Sequence, residues 1–167
     1  MKHNLYIKAI LLLVPNAKCS TSDNKILSWE DERKKPTETA INNKVKELEA
    51  IAELDAKNQD IENHIYSKYP AKTQQQDNGW VQNFTTKLVA NGVTDLDKQV
   101  VELTTSFFSG KTIDEVLAGV DDALKPMYEK LVKVAVKNEW AYNCILAGKE
   151  AIKNNTDAEY PAFPNFE

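Results

Sequence analysis

The residues able to do acid–base or nucleophilic chemistry are few and scattered. There are two histidines, His3 and His64, and His3 falls in a stretch with the order of an export signal. His64 is then the only imidazole left as a general base. A nucleophile such as Ser106 or Cys144 would have to be carried to it by the fold, since no local spacing brings either one close. A histidine-rich metal site is ruled out for the same reason. HExxH, CxxC, Glu-x-x-His and calcium-loop patterns are all absent. Asp60 and His64 stand four apart and read as an exposed ion pair on one helix face. Asp121–Asp122 could form an acid–base couple, but on an amphipathic helix the pair reads first as its wet face. Gly92, Gly110, Gly119 and Gly148 are isolated, so no phosphate-cradling loop is present. The expectation is a protein that is not an enzyme and carries no metal or cofactor.

Binding chemistry has better candidates. Phe107, Phe108, Tyr128, Trp140 and Tyr142 could line a cleft for an apolar ligand between helices, a recurrent place for such sites. Two Asn-x-Thr tripeptides, at Asn83 and Asn154, would accept glycans in a eukaryotic secreted protein. Two cysteines are too few for a disulfide scaffold or a zinc site. They allow one bridge, Cys19–Cys144, if Cys19 survives processing.

The positioning elements follow from composition and spacing. At 167 residues one domain with a real core is expected. Glycine is scarce, at 5 residues, and Lys, Glu, Ala and Leu are plentiful, which favours an all-α fold. A net charge of −4, with no basic stripe, argues against a nucleic-acid partner.

Residues 1–20 run from a basic start (Lys2, His3, Lys8) through an apolar stretch (Ala9 to Val14) to small residues, the order of a signal peptide. That apolar run is too short to span a bilayer. Lys18 directly before Cys19 argues against lipidation of that cysteine. Residues 21–36 read as a polar tether with a small apolar cluster of Ile26, Leu27 and Trp29.

A four- or five-helix bundle is expected over 37–156. Its first helix spans about 37–68, with a thin apolar stripe and a polar centre at 55–60. Residues 71–79 read as a loop, and Asp77 or Asn78 as the cap of a second helix carrying Trp80, Phe84 and Leu88, closed by Asn91–Gly92. Thr94 is expected to cap a third helix with the stripe Leu96, Val100, Leu103 and Phe107, ended by Ser109–Gly110. Thr112 and Glu115 form a capping box for a fourth, with Ile113, Val116, Leu117, Val120 and Leu124 on its core face.

Leu124 to Lys153 is apolar over a wide arc and should be the central helix. Its two stripes are Tyr128, Leu131, Val132, Ala135, Tyr142, Leu146 and Met127, Leu131, Val134, Ala141, Ile145. Residues 157–167 form a proline- and aromatic-rich tail, read either as a segment packing across the bundle or as a frayed end. The expected function is that of a secreted protein (periplasmic or surface-attached in a bacterium) acting through an unidentified protein partner. The alternative is a carrier of an apolar small molecule or lipid.

Overall fold

The computed structural model describes residues 2–90 and 92–166; the side chains of Lys2 and His3 lie outside the described residues, as does Asn91 of the expected Asn91–Gly92 stop. The chain is mostly helical. Among the described residues it forms α1 (Lys2–Leu13), β1 (Cys19–Ser22), β2 (Lys25–Trp29), α2 (Glu38–Lys68), α3 (Ala71–Ala90), α4 (Leu96–Phe108), α5 (Ile113–Val116) and α6 (Lys125–Asn154). It divides inside α2 into two compact units, Met1–Lys57 and Asn58–Glu167.

In the first unit, α1 contributes Tyr6, Ala9 and Ile10 to a core shared with Ile41 and Leu48 of α2. Most of the segment expected as a tether is folded. Asp23 and Asn24 both adopt positive φ, which Asp and Asn tolerate, and so close a tight hairpin. The strands were not legible because β1 is short and polar, and a bulge interrupts the alternation of β2. Thr21 pairs with Ile26 and Ser20 with Ser28, which leaves Leu27 without a partner and exposed. An ionic clasp follows the hairpin. Arg33 pairs with Asp31 at 2.6 Å and donates to the Pro15 carbonyl at 2.9 Å, while Trp29 Nε1 donates to the Arg33 carbonyl. The Arg33 hydrogen bonds hold the Asp31 carboxyl well below the usual carboxylate range.

The centre of α2, from Glu49 to Ala56, is exposed on every side. Ile51 and Leu54 are among its exposed residues, which matches the thin stripe read from the sequence.

In the second unit α6 is the spine. Tyr128, Leu131, Val132 and Val136 enter one core with Phe84, Leu88, Leu96, Val116 and Leu117. Trp140 and Cys144 enter another with Ile61, Ile65 and Tyr69. The buried row on the C-terminal half of α6 is Val136, Trp140, Cys144 and Gly148, in steps of four. The expected stripe through Tyr142 and Leu146 is exposed instead.

Three local expectations are corrected. Residues 71–79 are helical. Their polarity marks a wet face, and Pro70 opens the helix, its carbonyl accepting from the Gln74 N–H. Thr94 is not the cap of α4, because Asp95 occupies that place with a left-handed backbone and no side-chain cap bond. The Thr112–Glu115 capping box is present, but its helix ends at Val116, and turns carry Val120 and Leu124 to the core.

Two ends of helices close alike. Gly92 at φ +82° ends α3, its N–H donating to the Val89 carbonyl while the Val93 N–H reaches Leu88. Asn155 and Thr156 repeat that arrangement on Ile152 and Ala151 at the end of α6.

Of the two readings of the tail, the packed one is what the structure shows. Tyr160 stacks on His64, Phe163 meets Trp140 edge-on, and Phe166 lies against Phe107. The three rings stand three residues apart, at 160, 163 and 166. Trp140 Nε1 donates to the Pro161 carbonyl at 2.9 Å and fixes the register.

Gly148 does not end α6. A Cβ there would overlap Cγ1 and Cδ1 of Ile61, so glycine is what lets α2 and α6 approach. Gly148→Ala should therefore lower stability by about 1–3 kcal/mol through overpacking, outweighing the roughly 1 kcal/mol that alanine gains in a helix. Urea denaturation tests this, and an unchanged or higher midpoint would show that Ile61 yields freely.

Candidate functional site

Of the side chains singled out for catalysis, Ser106 lies on α4 and His64 on α2, and no contact between them is formed; the others are buried or engaged elsewhere. The His64 ring stacks on Tyr160 with centroids 4.0 Å apart, and no ion pair with Asp60 forms. Cys144 is fully buried, and burial pushes its thiol pKa up, away from the reactive thiolate. Asp121 accepts the Ala123 N–H, while Asp122 pairs with Lys125 at 2.6 Å, which lowers its pKa. The two carboxylates thus have separate partners. Among the described residues no group of three His, Cys, Asp or Glu could hold a metal, and no helix is long and apolar enough to cross a membrane.

The five aromatics proposed to line one cleft are dispersed. Tyr128 is buried and donates to Gln99 Oε1 at 2.8 Å, and Phe107 packs beside the same core. Trp140 belongs to the other core, and Phe108 and Tyr142 are exposed. Cys19 and Cys144 are both free thiols, so the bridge that the sequence allowed is not formed; each residue belongs to the apolar cluster of its own unit. Asn83 and Asn154 are exposed on helices, their amides donating to the Gly79 carbonyl and to Glu150.

A site does emerge between α3 and α6. It rests on a polar node. Asp77 Oδ2 accepts from Tyr69 Oη at 3.0 Å and from Lys137 Nζ at 2.5 Å, and Lys137 lies over the Tyr69 ring. Asp77 was expected as a helix cap; it is a mid-helix anchor. One position along, Asn138 donates to Asn78. These two pairs set the register of α3 on α6.

Beyond the node the helices enclose a half-open groove of about 590 Å³. Trp80, Phe84 and Leu88 line one wall, Leu124 and Met127 the other, and Val93 closes one end. Trp80 and Phe84 stack with centroids 5.0 Å apart, and Lys130 Nζ sits 4.4 Å from the Trp80 ring centroid. Asn83 and Lys87 are its polar lining, and no carboxylate lines it.

A second groove, of about 420 Å³, includes Glu102 and Asp121 and offers less apolar surface. Spacing identified the stripe Trp80, Phe84 and Leu88, but it carried no sign that this face would stay partly uncovered. Met127 and Lys130 gave no signal beyond helix periodicity.

Comparison with protein-family models, curated proteins and solved structures finds no match to the chain.

The node carries a pH signature. Burial first, then the hydrogen bond to Asp77 and its charge, raise the Tyr69 pKa well above the ordinary tyrosine value. The folded chain thus keeps a proton that the unfolded chain releases near pH 10. The stability this confers is full below about pH 10 and is lost as the pH climbs beyond it. Urea midpoints between pH 9 and 11 should fall less steeply for Tyr69→Phe than for the native chain. Parallel slopes would remove Tyr69 from the account.

Proposed function

We propose that the chain is a non-enzymatic interaction protein whose binding face is the α3–α6 groove. One observation carries the reading: six apolar side chains, two of them stacked aromatics, face a groove that the chain itself leaves half open. Apolar surface at the foot of a groove with a polar rim is characteristic of recognition sites. Engagement of His64, Cys144, Asp121 and Asp122 elsewhere supports a role without catalysis.

The second reading, a carrier of an apolar small molecule, draws on the same groove, whose volume is in the range of small-ligand sites. Its open side favours the first, because a bound acyl chain would keep one edge in water.

A photoreactive residue at position 127 separates the two. A covalent adduct of defined protein mass is expected, and it should be lost on a Trp80→Glu background that retains its helical circular dichroism. Adducts with lipid alone would establish the carrier, and absence of any adduct would sink both.

Export is the second part of the proposal. The basic, apolar and polar order of residues 1–20 supports it. Packing sets a condition on cleavage: removing the chain up to Cys19 would take Tyr6, Ala9 and Ile10 out of the first unit and uncover Ile41 and Leu48. Intact-mass measurement of the mature protein decides the matter. A start near Ser20 is expected for cleavage, whereas a chain retaining α1 as a core helix would end that part of the reading.

A further inference from the structure

We propose that a second copy of this chain pairs antiparallel with the outer face of α6, about a two-fold axis level with Cys144. The surface is separate from the α3–α6 groove, and the inference does not rest on that site.

The face is the back of a buried row. Val136, Trp140, Cys144 and Gly148 are buried on one side of α6. On the opposite side Glu139, Tyr142, Leu146 and Lys149 are exposed. Two of these four are large and apolar, and they stay 53% and 46% exposed. The last residue of α4, Phe108, lies beside Ala135 and Glu139 and is exposed as well, so it widens the apolar strip.

The spacing is that of a helix–helix seam. Ala135, Glu139, Tyr142, Leu146, Lys149 and Lys153 recur in alternating steps of four and three, which keeps them on one face of the helix. Among the described residues no helix fills that seam.

Charge names the occupant. In an antiparallel pair of copies centred on position 144, level 139 meets level 149 and level 142 meets level 146. Each Glu139 then faces the second copy's Lys149, and each Tyr142 the second copy's Leu146. A parallel pair would set Glu139 against Glu139 and Lys149 against Lys149, so the signs select the antiparallel one. Both charges are available for the contact. Lys133, Lys137 and Lys153 of the same helix pair within the chain, with Glu129, Asp77 and Glu150. Among the described residues Glu139 and Lys149 have no such partner. Ten residues of helix, about 15 Å, keep them from each other. Two tyrosines, two leucines and two ion pairs make a small interface, of the weak class below about 1,200 Å².

Sedimentation equilibrium of the full chain under reducing conditions, over a concentration series, tests this. A reversible monomer–dimer equilibrium is expected. Glu139→Lys and Lys149→Glu should each weaken it about 3- to 30-fold, because symmetry removes two exposed ion pairs per dimer. The double variant Glu139→Lys/Lys149→Glu should restore it, since both contacts are remade with their signs exchanged. Leu146→Glu should abolish it and Trp80→Glu, in the groove, should leave it unchanged. Circular dichroism checks that each variant keeps its helices.

A monomer at every concentration would overturn the proposal. So would a dimer indifferent to the single charge reversals, or one that the double variant fails to restore. A dimer lost in Trp80→Glu and kept in Leu146→Glu would move self-association to the groove and overturn the α6 seam.

Discussion

The second unit depends on where Asp77 sits. Its carboxylate receives the hydroxyl of Tyr69, just past the end of α2, and the ammonium of Lys137 on α6, so one group ties three helices at one level. Both ionic side chains are largely shielded, at 14% and 18% exposure. Such a pair gives little net stability over an apolar replacement, yet losing one partner strands the other. Its structural value is register. Trp80 lies one turn beyond Asp77 on α3, and Lys130 lies two turns before Lys137 on α6. Holding Asp77 to Lys137 therefore brings Trp80 under Lys130 and opens the groove beside them.

Around that node α6 does two jobs along its length. Its first half faces α3, α4 and the turns after α5; its second half faces the end of α2 and the tail. The change of face follows from the sequence of α6 itself. Small or slim residues at 136, 144, 148 and 151 let neighbours approach on the row that Trp140 anchors. The tail completes the arrangement by covering Trp140 and His64 with aromatic rings, which explains why a proline-bearing segment outside any helix belongs to the packed unit.

Much of this was legible in the chain. The helical character, α6 as spine, the Thr112–Glu115 box and the stop at Gly110 follow from periodicity and turn chemistry, while the tail's composition left docking and fraying both open. What escaped did so for identifiable reasons. Residues 71–79 lack apolar periodicity because their inward positions are polar too, Asp77 among them, so polarity there mimicked a loop. Periodicity after Thr112 persists through Leu124 although the helix ends at Val116, because successive turns also return every third or fourth residue to the core.

The hairpin in the first unit is short and bulged, so period-two alternation fails at Leu27. For the site, residue type drew attention to Trp140 and Tyr128, both buried, whereas the groove is lined by side chains left half covered. Coverage is a property of the neighbours and is written in no single stretch.

The bare centre of α2 has a consequence for how the chain comes apart. From Glu49 to Ala56 the helix is held by its own hydrogen bonds, with no buried side chain to reinforce them. Helices of that length have marginal stability without packing. Transient fraying should concentrate there, giving fast amide exchange and an early foothold for a protease. A cut at that point would leave one fragment with the cluster of Tyr6, Ile10, Ile41 and Leu48, and another with both clusters of α6.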